Sequence, residues 1–174
     1  MTAGKETARR LVVTGHDANM RSVIVTDMQI SGEEVPGRGG MEINHIWGSD
    51  KPPSYPDEGA KPVFTSFFPP VGGIRMIEMY LPGSAGDDSP VEAAMSGGVT
   101  LDAERPGMHR SATIDMGYMV EGRCILEMDE GSITLNAGDV LIQNGAMHRW
   151  LNPFDAPARF IGFMAGAEME DKFG

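Results

Sequence analysis

The sequence predicts an all-β domain, folded as an antiparallel sandwich or barrel, and three observations carry that expectation. Its 174 residues suit one domain, or one domain with a long arm. Its 23 Gly and 12 Pro suit short strands joined by tight turns better than a helical bundle. Short apolar and β-branched runs alternate with turn signals at regular spacing along the C-terminal half.

The elements follow in chain order. Residues 10–15 (RLVVTG) and 22–27 (SVIVTD) are β-branched runs, and the HDANMR link between them carries the Asp and Asn of a turn. They are expected to pair as a hairpin. Residues 43–47 are a candidate third strand, and residues 48–70, rich in Pro, read as irregular structure or a linker. Residues 74–81 (IRMIEMYL) alternate imperfectly and read as a strand. Over residues 88–97, Ser89 can cap a helix, Pro90 suits its first position, Glu92 sits where a capping-box acid belongs, and Gly97 can end it. One or two helical turns are expected there, as a flap. Strands are then expected at 116–120, 124–128, 132–135, 140–143, 147–152 and 159–164, with turns at Glu121-Gly122, Asp129-Glu130-Gly131 and Asn136-Ala137-Gly138-Asp139. The organisation expected is an N-terminal strand arm and linker over 1–70, a barrel over 71–166 and a tail over 167–174.

Charge narrows the function classes. Acidic residues outnumber basic ones 25 to 14, giving a formal net charge of −11. Such a chain repels phosphate backbones and anionic lipid heads, so neither nucleic acid nor membrane is an expected partner. A bound metal or a cationic substrate suits that charge, as does a merely acidic solvated surface. Cys124 is the only cysteine, which excludes an intramolecular disulfide and a thiolate zinc site. The opening MTAGKETARR lacks the apolar core of a secretory signal, and no apolar run approaches a membrane span, so a cytoplasmic location is expected.

Four histidines are candidates for chemistry. His16 falls in the hairpin turn and reads as solvent-exposed. His45 falls in a candidate strand and reads as an ordinary half-buried residue. His109 and His148 lie in richer surroundings. In HRSATIDMGYMVEG, residues two apart share a face of an extended chain, so His109, Ser111, Thr113 and Asp115 point one way. In GDVLIQNGAMHRWLN, His148, Trp150 and Asn152 share a face. Burying such groups unpaired is costly, so a cavity lined by them implies a ligand or internal partners. Trp150 reads either as an aromatic pocket wall or as core. Tyr118, Arg110 and Arg149 have the outward parity, and Met119 and Met128 read as core.

These two segments resemble the motifs of the cupin superfamily. The first family motif runs G-x5-H-x-H-x3-4-E-x6-G; here His109 fills the first His position, Ser111 replaces the second, Asp115 stands at the Glu and Gly122 closes it. The second runs G-x5-P-x-G-x2-H-x3-N; Gly138, Gly145, His148 and Asn152 match, Gln143 replaces the Pro, and the first gap is one residue short. RRLVVTGHDAN and the combination of both segments also resemble a subgroup of small cupin-2 proteins.

The resemblance implies an antiparallel jelly-roll β-barrel with an N-terminal strand arm. It implies a divalent metal pocket, built in many relatives from three His and one Glu. Ser111 is a poor ligand, which leaves His109, Asp115 and His148. Two His and a carboxylate can hold iron, manganese or zinc with positions open to substrate. Three functions are then expected in principle. One is a metal-dependent lyase, isomerase or dioxygenase acting on a small unsaturated, carbonyl or ring-bearing metabolite. Another is metal-free acid–base catalysis of the dehydratase or epimerase kind by the same three residues. The last is a pocket that binds a metabolite without chemistry. In each, Ser111, Thr113, Trp150 and Asn152 are expected at the pocket, and no organic cofactor is expected. Small cupins of this kind pair through N-terminal strands, so a homodimer is expected as well.

Overall fold

The computed structural model describes residues 8–35, 40–84 and 96–170, and every regular element in them is a strand. The expected helix falls almost wholly on residues outside those described. No helix among the described residues is long and apolar enough to cross a membrane.

β1 (Arg9–His16) and β2 (Ser22–Ile30) form the expected hairpin as a separate two-stranded sheet. Asp17 closes its turn: the carboxylate accepts the backbone N–H of Asn19 and of Arg21 and the Arg21 guanidinium. β3 (Glu33–Glu34), β4 (Glu42–Ser49), β5 (Ile74–Leu81), β8 (Thr113–Glu121), β11 (Val140–Asn144) and β13 (Ala158–Gly166) build a six-stranded sheet in the order β11-β8-β13-β5-β4-β3. β6 (Val99–Leu101), β7 (His109–Ser111), β9 (Arg123–Met128), β10 (Gly131–Asn136) and β12 (His148–Leu151) build a five-stranded sheet in the order β10-β9-β12-β7-β6. All pairings are antiparallel. β4 pairs with β5 along its length, so a boundary after residue 70 cuts through one continuous sheet.

Alternation explains the layering. In β8, Thr113, Gly117 and Met119 are buried while Ile114, Met116, Tyr118 and Val120 are exposed. Met79, Leu81, Met119, Cys124, Leu126 and Phe160 join side chains of both sheets in the main core, and Phe68, Ile77 and Met164 form a second cluster. Met119 is core, as expected, and Met128 packs against it. At the β8–β9 turn Gly122 has φ +68°, and a Cβ there would stand 2.0 Å from the Pro157 carbonyl oxygen, so only glycine fits.

Two devices position the site. The chain passes from the five-stranded to the six-stranded sheet at Ala112, between β7 and β8, so one short segment contributes residues to both walls. The Pro-rich stretch 50–70 is pinned by Arg75, which is fully buried. Its guanidinium donates to the carbonyls of Ser49, Ser66 and Ile74 and to the Asp50 carboxylate, and it lies 4.3 Å from the centre of the Phe64 ring. That anchoring brings Phe67 and Phe68 to the wall of an interior cavity.

Candidate functional site

The cavity lies between the two sheets and has a volume of about 80 Å³. Phe68, Ile77, Met79, Trp150, Phe160 and Met164 give it an apolar lining. Gly117 makes room for part of that lining, since a Cβ there would lie 1.8 Å from Phe160 Cζ. The polar side chains on the wall are His109, Asp115, Gln143 and His148.

His109 opens β7, His148 opens β12, and the two are directly paired across the antiparallel ladder. Their ring centroids are 4.3 Å apart. We assign the same tautomer to both: each Nδ1–H donates to the carbonyl two residues upstream, His109 to Gly107 at 3.0 Å and His148 to Ala146 at 2.8 Å. On a neutral ring this makes Nε2 the lone-pair atom, the form in which imidazole binds a metal. The Gln143 side-chain amide nitrogen lies 2.9 Å from His148 Nδ1 and 3.0 Å from Nε2, and with the proton on Nδ1 it is Nε2 that can accept from it. Burial, with the adjacent His109 adding to it, pushes His148 down to about 3, so its ring is neutral at ordinary pH.

Asp115 faces the same cavity from β8, paired across the ladder with Gln143 of β11. Burial pushes its carboxyl up to about 6, against an opposing hydrogen bond from Thr113. Asp115 Oδ1 and Gln143 Oε1 are both buried without a hydrogen-bond partner. Two unsatisfied oxygens on facing residues of one cavity wall are costly unless a water molecule, a shared proton or a ligand atom satisfies them.

The sequence-expected residues divide in two. His109, Asp115, His148 and Trp150 share the cavity wall; Trp150 also packs on Phe160, with ring centroids 4.8 Å apart. Ser111, Thr113 and Asn152 do not line it, and the structure differs from the expectation here. Strand parity does bury Ser111 and Thr113, but at the end of the sandwich, where their hydroxyls bond each other at 2.7 Å and Thr113 supports Asp115 from behind. Asn152 is fully buried past the end of β12, where its amide reaches the carbonyls of Leu81, Pro82 and Ala156 and its oxygen accepts the Phe154 N–H. It ties loops together rather than facing a ligand. Gln143 was absent from the expected set. The alternation of β11, with Leu141 and Gln143 turned inward between exposed Val140, Ile142 and Asn144, was the signal that could have found it.

His16 lies in the hairpin, its Nδ1 bonded to the Asp57 carbonyl at 3.1 Å. His45 is half-buried against Phe64 and Phe67, and burial lowers its pKa. Among the described residues, no three His, Cys, Asp or Glu side chains stand in a ligating arrangement. The cavity does hold donor types that a divalent cation takes, two imidazoles, a carboxylate and an amide oxygen, with Asp115 Oδ1 and Gln143 Oε1 lacking partners and His148 Nε2 engaged by the Gln143 amide.

Residues 99–164 match the family model described as "Cupin domain". Over 91% of its length the chain is 26% identical to phomopsin biosynthesis cluster protein D of Diaporthe leptostromiformis, covering 87% of that protein. A shorter match, 43% identity over 49 residues, is to oryzines biosynthesis cluster protein J of Aspergillus oryzae; it spans 28% of this chain and 27% of the relative. Among solved structures, the cupin domain of Schizosaccharomyces pombe Cnp3 superposes with a TM-score of 0.50 at 10% identity, covering 90% of this chain and 87% of that one. The family model spans both motif segments, and the two antiparallel sheets carry them as a jelly roll does; residues 99–164 are similar to the cupin domain, and the chain has the all-β cupin fold.

Proposed function

We propose that the protein is a small-molecule enzyme whose reaction centre is the His109, Asp115 and His148 group, with Gln143 beside it, and that this group holds a divalent iron, manganese or zinc ion. The reaction is of lyase, isomerase or dioxygenase type on a small carbonyl, unsaturated or ring-bearing metabolite. The observation that carries the reading is the pair of buried, partnerless oxygens, Asp115 Oδ1 and Gln143 Oε1, on the wall that also carries two paired imidazoles. A bound divalent ion supplies an electrophile that polarises a substrate oxygen. The chain's own residues do the rest. Backbone carbonyls fix the two rings in one tautomer, Thr113 orients Asp115, and Trp150 with Phe160 presents an apolar wall that excludes water from the reacting group. In this reading the protein acts as a homodimer.

A second reading has an observation of its own. His148 Nε2 is already bonded to Gln143, and Asp115, at about 6, is suited to take and return a proton near neutral pH. This is metal-free acid–base chemistry of the dehydratase or epimerase kind. Cobalt(II) titration of chelator-treated protein separates the two. Visible absorption bands that saturate near one equivalent, and that are lost in His148→Ala and weakened in Asp115→Asn, support the metal reading. No bands, with no uptake of iron, manganese or zinc by elemental analysis, refute it and leave the acid–base reading.

A further inference from the structure

A second cavity lies between the N-terminal hairpin, the edge of β4 and residues 61–64. Its volume is about 370 Å³, within the range of small-molecule sites, and it shares no lining residue with the inner cavity of about 80 Å³. The pairing of β4 accounts for it. β3 pairs only with Glu42 and Ile43, which leaves the rest of that edge without a strand. The register of β4 on β5 then shifts between His45 and Trp47, a bulge at Ile46 that re-aims the side chains around it. Asn44, His45 and Trp47 all line the one cavity as a result, although adjacent residues of a regular strand point to opposite faces.

Much of the wall is apolar: Leu11 and Met28 come from the hairpin, Trp47 from β4 and Phe64 from the Pro-rich stretch. The two aromatic rings suit a flat ligand. Glu33 and Lys61, both exposed, line the cavity with opposite charges, so it offers a ligand no net charge. Two polar atoms on lining residues, Asn44 Nδ2 and His45 Nε2, are buried and have no hydrogen-bond partner among the described residues. Groups in that state are costly until something pairs with them. Asn44 Nδ2 is a donor. His45 Nε2 is an acceptor, for two reasons. Burial lowers the pKa of His45 against a hydrogen bond to the Phe67 backbone carbonyl, so the ring is neutral at neutral pH. Since Nε2 has no partner, that bond belongs to Nδ1–H, and we assign the lone pair to Nε2.

We propose that this cavity is a second small-molecule site, and that its ligand is a neutral, planar ring with a lactam edge, the carbonyl accepting from Asn44 and the ring N–H donating to His45. A lactam holds one acceptor and one donor side by side on a rigid ring, which matches one donor and one acceptor on consecutive residues. A ketone or a carboxylate would leave His45 Nε2 unpaired. The proposal makes no use of the chemistry assigned to the inner cavity.

Calorimetric titration of the full chain with 2-quinolone tests it. The comparison probe is coumarin, which has the same shape with a ring oxygen in place of the N–H. The expected result is one 2-quinolone bound per chain with a Kd below about 1 mM, and coumarin about tenfold weaker, the worth of one neutral hydrogen bond. Asn44→Ala and His45→Phe should each weaken 2-quinolone about tenfold. In His45→Phe the preference over coumarin should vanish, which a general loosening of the wall would not produce. His148→Ala, at the inner cavity, should bind 2-quinolone as the parent does. If Asn44→Ala or His45→Phe fails to fold, nuclear Overhauser contacts of the probe in the parent protein decide, because Trp47 and Trp150 are the chain's two tryptophans and line different cavities. Contacts to the Trp47 indole support the proposal. Absence of binding at 1 mM probe, equal affinity for the two probes, loss of binding in His148→Ala, or contacts to the Trp150 indole alone would each overturn it.

Discussion

Replacing Asp115 with Asn should change how stability depends on pH in a way that reads the site's electrostatics directly. In the folded protein the Asp115 carboxyl is raised from 3.8 to about 6 by burial. The native state therefore binds more protons than the unfolded state between those values, and stability falls as pH rises through the window. Above pH 6 the full cost is present, about 3 kcal/mol at 1.36 kcal/mol per pH unit. His148 has the opposite sign. Its pKa falls from 6.5 to about 3, so the native state binds fewer protons, and stability is lost as pH drops below 6.5. Between pH 4 and 6 the two slopes cancel, because acid that charges His148 in the unfolded chain also neutralises Asp115 in the folded one. Asp115→Asn removes one side of the balance. The variant should gain up to about 3 kcal/mol relative to the parent at pH 8, and that advantage should vanish by pH 4. A fixed cost from the new amide, of order 1 kcal/mol, shifts its whole curve and leaves the slope alone. Urea unfolding of chelator-treated protein, followed by Trp fluorescence at one-unit steps from pH 4 to 8, supplies the curves. Other titrating groups are common to both proteins and drop out of the difference. Parallel curves for parent and variant would refute the burial of an ionisable Asp115 in this cavity.

Further outcomes are expected elsewhere. His148→Ala should abolish ligand- or metal-dependent activity at a stability cost of about 1–3 kcal/mol, whereas His16→Ala should leave both within error, as activity and thermal melting will show. Asn152→Ala strands three buried carbonyls and an N–H and should lower the unfolding free energy by about 2–4 kcal/mol, measured by urea titration, without altering metal affinity. Gly117→Ala drives a methyl into Phe160 and should cost about 1–3 kcal/mol while weakening ligand binding through the displaced ring. Cys124 is fully buried and its thiol is pushed up to about 12, so a thiol-specific chromogenic reagent should react with it only after unfolding.

The sequence by itself determined the fold class and named four side chains that the structure places on the cavity wall, His109, Asp115, His148 and Trp150. Period-two alternation and Gly-bearing turns depend on neighbours along the chain, so the hairpin, β5 and the run from β8 to β13 were legible to within three residues at each end. The motif spacing likewise brought out His109, Asp115 and His148. Short strands were not legible: β3, β6 and β7 hold two or three residues each, too few for a period, and they exist because a neighbouring strand supplies hydrogen bonds. Parity identified Ser111 and Thr113 as buried but could not say what they face. That depends on where the chain leaves one sheet for the other at Ala112, a tertiary event. The same holds for Gln143, brought opposite Asp115 only by the pairing of β11 with β8, and for Asn152, two of whose partners, Leu81 and Pro82, lie about seventy residues earlier in the chain. A side chain's direction is local information, whereas its neighbours across a cavity are set by the register of strands distant in sequence, and only the tertiary structure decides them.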